Sequence, residues 1–241
     1  MSDPAGAVPQ AEAHEHSHAD VSGGWLRAAV FGAMDGLVTN TALVAGVGGG
    51  GAAPRAIVLA GVASLVAGAI SMALGEYTSV KTQNEQLDLE VQKERRELER
   101  NPEGELAELT EMLRVRGVDD ALAREVAVQL SRDPESALRL HIVAELGLSP
   151  ADKPSPRVAA LSSFVTFATG AVIPLLPYLF GFSLLWVALV CGGLGLLVAG
   201  ALSSRFTPRP WWYAGLRQLL FGAAAAGITY VVGAAIGVSV S

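Results

Sequence analysis

The chain has 241 residues, of which 51% are hydrophobic, and its 23 acidic and 17 basic side chains leave a net charge of −6. Although the mean hydropathy is +0.41, 29 of the 40 charged residues lie between positions 81 and 157. This division excludes a single soluble core and predicts a membrane protein with one polar module inserted into it. We expect no nucleic-acid partner for an acidic chain, and its one cysteine excludes an intrachain disulfide.

The first 24 residues are polar and acidic, without the basic start and apolar stretch of a secretory signal. Within them, His14, His16 and His18 stand at alternate positions among acidic residues. Two such imidazoles on an extended chain can reach one transition-metal ion, so one interpretation is an accessory metal collector. The alternative is a disordered tail with no required role.

Five apolar segments are each long enough to cross a bilayer as a helix, which takes about 20 residues. Pro208 and Pro210 block a continuous helix between the fourth and the fifth. With a cytoplasmic N-terminus, the basic residues gather on the cytoplasmic side and the opposite side keeps Arg55, which predicts an N-in, C-out topology. The predicted spans are 25–48, 56–77, 158–180, 183–203 and 214–238.

The polar module is predicted to be helical. Good helix formers continue from the second span until Asn101-Pro102, so we expect that span to run on as one helix to this point. Three shorter helices follow at about 103–116, 119–133 and 134–147. The apolar positions available for a small shared core include Leu106, Leu109, Leu113, Val126, Leu130, Leu138 and Leu146.

Side chains of the kinds that bind metal recur one helical turn apart in this module. Positions three or four apart project from one helix face, so each pair can offer two ligands to one ion, and helix packing would complete a site. Oxygen ligands with one imidazole favour Fe2+ or Mn2+ over thiolate-seeking metals. The alternative is a solvated surface of i,i+4 ion pairs. The pairs are Glu94 with Glu97, Glu105 with Glu108, and His141 with Glu145.

Three residues inside the apolar spans predict a path through the membrane. Asp35 lies eight residues past Arg27, about 12 Å into the first span, where a lipid-facing carboxylate is costly. Met72 and Glu76 share a face near the charged end of the second span. A thioether is a soft ligand for Fe2+. The alternatives are a helix-packing hydrogen bond for Asp35 and simple packing for Met72.

These features predict an all-α membrane protein with five transmembrane helices and a cytoplasmic helical metal-binding domain inserted between helices 2 and 3. The predicted parts are a tail at 1–24, helices 1 and 2 at 25–80, a Glu-rich metal-binding domain at 81–156, and helices 3 to 5 at 157–241. The topology and the lack of transit features indicate a bacterial plasma membrane, while a vacuolar membrane gives the same sidedness.

Several long motifs, in order, resemble the vacuolar iron transporter family over about residues 25–240, as a bacterial-type member. The resemblance implies a homodimer of five-span subunits that moves Fe2+, and often Mn2+, out of the cytosol in exchange for protons, within membrane lipid. The motifs are "MDGLVTNTALVAGVGG", "SMALGEYTSVKTQNE", "ERNPEGELAEL", "HIVAELGL" and "SPRVAALSSFVTFATGAVIPLLPY".

The resemblance also implies roles for single residues. The family's translocation Asp and Met fall on Asp35 and Met72. Where some members carry a Met-Glu pair, this chain reads His141-Ile142, so the site either uses His141 or loses ligands. Ala144 also stands where many bacterial relatives carry an acid. The glutamates of the family's metal-binding domain fall on Glu94, Glu97, Glu105, Glu108 and Glu145.

Two other functions fit parts of the pattern. Carboxylates and a histidine on helices are also found in di-iron bundles, so a membrane-tethered ferroxidase is one alternative, although its Glu-x-x-His spacing is absent from the helical module. A metal sensor without transport is the other, and it leaves Asp35 inside the membrane unexplained. The sequence therefore favours a transporter, not an enzyme.

Overall fold

The computed structural model describes residues 24–147 and 153–240. Within these ranges five helices are long and apolar enough to cross a membrane, which confirms the predicted all-α fold. The spans are α1, the first part of α2, α6 with α7, α8 and α9. The helices are α1 (Trp25–Gly49), α2 (Pro54–Arg100), α3 (Pro102–Val115), α4 (Asp120–Leu130), α5 (Pro134–Leu146), α6 (Pro156–Val172), α7 (Leu176–Leu179), α8 (Leu185–Ser203) and α9 (Trp211–Val240).

The second span and the first helix of the module are one uninterrupted helix, as predicted. α2 has 47 residues and is therefore about 70 Å long. From Glu76 to Arg100 it contains neither Gly nor Pro, and it ends just before Asn101-Pro102. The polar module is thus joined to the membrane bundle by rigid helix instead of by a loop.

Two spans differ in detail from their predicted bounds because of prolines. Pro174 and Pro177 break the third span into α6, a short 3₁₀ turn and α7. Pro210 stands directly before α9, whose first residue is Trp211, three positions earlier than predicted. The aromatic residues at 211–213 therefore form the first helical turn, not part of the linker.

α1 lies at the centre of the bundle and packs against α2, α6, α8 and α9. Its crossing with α6 depends on paired glycines. A Cβ atom on Gly36 would lie 2.2 Å from the carbonyl oxygen of Phe167, and one on Gly170 would lie 2.3 Å from that of Ala33. The two backbones are therefore in direct contact, which is how membrane helices gain packing energy without a hydrophobic driving force.

The module helices pack as a small unit around a few apolar side chains. Leu109, Leu138 and Ile142 are buried, and Leu106, Leu113 and Val126 are partly buried. The prediction that Leu130 belongs to this core is wrong, because it is the last residue of α4 and remains 36% exposed. The side chain of Leu146 lies outside the described part.

Asn40 holds three membrane helices together. It is fully buried on α1, and its side-chain Nδ2 donates to the carbonyl oxygens of Gly61 on α2, at 3.2 Å, and Ala171 on α6, at 2.7 Å. A polar group at this depth is stabilised only by such partners. The sequence analysis did not identify this residue.

We predict that Asn40→Leu lowers the stability of the purified protein. Loss of both interhelical hydrogen bonds costs about 1–2 kcal/mol, which corresponds to a fall in melting temperature of roughly 2–8 °C for a chain of this size. Thermal unfolding in detergent measures this change. Thr169→Val is the matched control, because that exposed hydroxyl bonds to a carbonyl of its own helix. Equal effects of the two variants would contradict the role of Asn40.

Candidate metal centre and membrane path

Three buried side chains from three helices meet in the module. Glu94 of α2, Glu105 of α3 and His141 of α5 are 7%, 8% and 0% exposed. The Nδ1 atom of His141 lies 3.2 Å from a carboxylate oxygen of Glu94 and 3.5 Å from one of Glu105. We refer to these three residues as the buried triad.

The triad has the dimensions of a metal site. One ligand atom from each residue lies within 4.8 Å of the other two. Two ligand atoms bound to one ion at about 2.2 Å are at most about 4.4 Å apart, so a small side-chain adjustment brings all three onto an ion. Two carboxylates match the charge of a divalent cation, and the imidazole adds a nitrogen ligand typical of first-row transition metals.

A tight reversal between α2 and α3 brings the two glutamates together. The side chain of Asn101 accepts a hydrogen bond from the backbone N–H of Gly104 at 3.2 Å and so caps α3, while Pro102 occupies its first position. The chain therefore turns back at once. Glu105, one turn into α3, returns to the face of α2 that carries Glu94.

An ion pair docks α5 on α2. Arg95 donates to both carboxylate oxygens of Glu135, at 2.5 and 3.3 Å, and this contact lowers the pKa of Glu135. Arg95 directly follows Glu94 in the chain, and Glu135 lies less than two turns before His141. The pair therefore joins α5 to α2 within two turns of the triad.

The triad is electrostatically unfavourable for two ionised carboxylates. Burial raises the pKa of Glu105, and the nearby carboxylates of Glu108 and Glu97 raise it further, while His141 and a hydrogen bond with Glu94 oppose the rise. In the absence of a metal ion, a proton on Glu105 relieves this cost. A divalent cation relieves it in the same way, so metal and proton compete for the same oxygens.

The predicted ligands separate into buried and exposed groups. Each glutamate pair places its first member in the triad, while Glu97 and Glu108 are exposed one turn away. The sequence left open whether the site uses His141 or loses ligands at this position. His141 lies against both buried glutamates, and its role as a ligand stays a prediction. The side chain of Glu145 and the tail residues His14, His16 and His18 lie outside the described residues.

In the membrane bundle, Glu76 is held by a partner that the sequence analysis missed. Arg27 on α1 donates to its carboxylate at 2.5 Å, and only 10% of the Glu76 side chain is exposed. This pair could have been predicted from the sequence, because consecutive spans run antiparallel and both residues lie at the end of the bundle that faces the module. Asp35 is half-buried and accepts a hydrogen bond from Thr39 at 3.2 Å.

The three predicted path residues lie at successive depths. Glu76 and Arg27 mark the level at which the bundle meets the module. Met72, partly buried against the cluster around Phe167, lies one turn or about 6 Å deeper. Asp35 lies about 12 Å deeper than Arg27. The structure thus orders a carboxylate, a thioether and a second carboxylate from the module end toward the membrane interior.

Comparison with known proteins assigns the chain to a family, because a model of the VIT family matches residues 26–234. The chain belongs to the VIT family. It is 38% identical over 213 residues to a vacuolar iron transporter of Acanthamoeba castellanii, covering 83% of this chain and 77% of that protein. Vacuolar iron transporter 1 of Oryza sativa subsp. japonica is 32% identical over 231 residues, covering 92% and 90%. A vacuolar iron transporter of Centaurea cyanus is 34% identical, covering 88% of each chain.

The family resemblance drawn from the motifs is therefore confirmed. The matched region runs from the start of α1 into α9 and includes all three residues of the triad. In this VIT-family chain the roles assigned to individual residues remain predictions.

We predict that Glu105→Gln stabilises the metal-free protein at neutral pH. The folded-state pKa of Glu105 is raised, so its charged form opposes folding as pH rises through and above the ordinary Glu range, and a neutral amide removes that cost. The melting temperature in chelator should rise by a few degrees at pH 7.5. The gain should vanish near pH 4, where the wild-type carboxyl is protonated. Glu103→Gln, exposed on the same helix and not among the causes of the raised pKa of Glu105, is the control, and destabilisation by Glu105→Gln would contradict this electrostatic account.

Proposed function

We propose that this VIT-family protein moves Fe2+, with Mn2+ as a second substrate, out of the cytosol in exchange for protons. The relatives named as vacuolar iron transporters support iron as the substrate. The observation that carries the proposal is the buried triad, built on a helix that continues without a break into the membrane. The sidedness rests on the excess of basic residues at the module end of the bundle.

The module captures the ion. Glu94, Glu105 and His141 supply two oxygens and one nitrogen, a set that suits Fe2+ and Mn2+. Three protein ligands leave coordination positions on the ion open, so the ion can pass to other ligands. The exposed carboxylates of Glu97 and Glu108 lie one turn away and supply such oxygen ligands during capture and release. Glu145, one turn after His141 on α5, is a further proposed ligand that the family resemblance implies.

The ion then follows α2 to the membrane. Glu94 lies 18 residues past Glu76, about 27 Å along the helix. At the mouth, an arriving cation competes with the guanidinium of Arg27 for the Glu76 carboxylate. Met72 offers a soft sulfur ligand that binds weakly and releases readily, and Asp35 is the next carboxylate along the path.

Protons exchange with the metal at the same carboxylates. An ionised carboxylate binds a metal ion and a protonated one does not. A carboxylate therefore releases a proton when it binds the metal ion, and it takes up a proton when the ion leaves. The raised pKa of Glu105 brings this competition closer to neutral pH. A proton gradient directed toward the cytosol then drives metal in the opposite direction.

A second copy of the chain completes the membrane path. Within the described part, Asp35 has no basic partner, and the outward face of α2 exposes Leu59, Val66 and Leu74. Two copies facing each other would bring two such carboxylates to one divalent ion. Their two negative charges would neutralise the ion, whereas one carboxylate would leave a positive charge inside the membrane. Mass measurement in detergent should show a dimer, and a monomer with full transport would contradict it.

Metal binding should depend on the buried glutamates and on pH. We predict that Glu94→Gln with Glu105→Gln lowers Fe2+ and Mn2+ affinity of the full chain by at least about tenfold, because both charged ligands are lost. Wild-type affinity should fall from about pH 7 to pH 5, because carboxylates must be ionised to bind the ion and the pKa of Glu105 is raised. Titration calorimetry with Mn2+ measures both effects. Glu85→Gln with Glu90→Gln, exposed on the same helix, is the matched control, and equal losses would indicate general charge attraction.

Transport should depend on Asp35. Asp35→Asn keeps the shape and the acceptor for Thr39 but removes the charge, so flux into proteoliposomes should fall on the order of tenfold or more. Metal binding in the module should persist, because that site lies outside the bilayer. Met72→Ala should reduce Fe2+ flux more than Mn2+ flux, since Mn2+ is the harder ion.

The same proteoliposomes separate the alternatives. Dependence of metal flux on an imposed pH gradient tests proton exchange. Oxygen-dependent Fe2+ oxidation without flux would instead identify a ferroxidase, and metal binding with neither would identify a sensor. Parental flux in Asp35→Asn would reduce Asp35 to a helix-packing residue.

A further inference from the structure

A cavity of about 330 Å³ opens at the module end of the membrane bundle. It lies between the start of α1, the turn that follows α8 and the first part of α9. Its walls carry two guanidinium groups, those of Arg27 and Arg217, together with the polar side chain of Thr207. We refer to it as the arginine cavity, and its volume is at the lower end of the range for small-molecule sites, roughly 300–1,000 Å³.

The charge of the arginine cavity is positive. Among the described residues none that lines it is acidic, and the first turn of α1 contains no acidic residue. Arg27 is already paired with Glu76, which lies outside the lining. Arg217 forms no ion pair within the described ranges of the chain. Arg27, Glu76 and Arg217 together therefore leave one positive charge, which matches a monoanion.

The cavity also has an apolar side that extends into the membrane. Arg27, Val30 and Met34 follow one face of α1 over about 10 Å, so the lining changes from charged to apolar with depth. Phe206 adds an aromatic wall. A free inorganic anion would contact only the charged end, whereas a molecule with a phosphate and a hydrocarbon tail contacts both.

The level of the cavity matches that of lipid headgroups. Trp211 and Trp212, at the start of α9, are 64% and 57% exposed beside the linker that borders it. Exposed Trp side chains of membrane helices gather at the interface between headgroups and hydrocarbon. The two arginines therefore lie where lipid phosphates lie.

We propose that the arginine cavity binds one anionic phospholipid. Its phosphodiester accepts hydrogen bonds from Arg217 and from the N–H groups of Arg27 that Glu76 does not engage. The glycerol and the upper acyl chain lie along Val30 and Met34. The bound lipid joins α1 to α9 at this end of the bundle.

Native mass spectrometry of the full chain in detergent tests this proposal. Titration with dioleoyl-phosphatidylglycerol should show one lipid retained per chain, with weaker retention of dioleoyl-phosphatidylcholine. Arg217→Gln should lower the affinity for phosphatidylglycerol about fivefold, which is the change in affinity expected when one arginine near an anionic lipid surface is lost. Arg209→Gln removes the same charge from the linker, outside the cavity, and should change the affinity less than about twofold.

Each other outcome overturns the proposal. Equal losses in Arg217→Gln and Arg209→Gln would show attraction by overall charge. Complete displacement of the lipid by excess inorganic phosphate would identify a site for a soluble anion. Equal retention of the two lipids, unchanged in Arg217→Gln, would indicate an ordinary annular lipid.

Discussion

The cost of burying charge is the constraint on which the rest of this structure depends. Two carboxylates and an imidazole lie together in a space that largely excludes water, and Glu76 and Asp35 lie within the apolar bundle. An isolated buried ion costs several kcal/mol, so each such group requires a partner. Arg27 forms an ion pair with Glu76, and Thr39 donates one hydrogen bond to Asp35. Under the proposed function, a transported cation would add positive charge beside the carboxylates of the triad and of Asp35, which links their burial to that function.

The long helix α2 makes these separate sites parts of one molecule. It carries Met72 and Glu76 in the membrane and Glu94 in the module, with neither Gly nor Pro between Glu76 and Glu94. Any rotation of α2 about its axis, or any shift along it, therefore moves its membrane part and its module part together. Had a flexible linker joined the two parts, the position of the triad relative to the path mouth would be undetermined, and direct transfer along one helix face would have no structural basis.

Much of this architecture could be predicted because it depends on local chemistry. The end of α2 follows from Asn101-Pro102, and the five spans follow from runs of apolar residues. Which glutamate of each pair is buried could not be predicted. Glu94 and Glu97 are about 60° apart on the same helix, and the docking of α3 and α5 decides between them. The same holds for Asn40 and for the Arg27 partner of Glu76, since both contacts join segments that are distant in the chain.

The order of these segments in the chain also bears on how the protein is made. A chain is synthesised from its N-terminus, and early parts begin to fold before later parts exist. Residues 94, 105 and 141 are all complete before α6 begins at Pro156, so the triad can assemble while the membrane bundle holds two of its five helices. Asn40 meets Gly61 as soon as α1 and α2 pair, but its shorter hydrogen bond, to Ala171, must wait for α6. Assembly of the nascent chain therefore continues in the membrane: the third span closes onto a first span whose buried amide already has one of its two hydrogen bonds, and α8 and α9 pack afterwards.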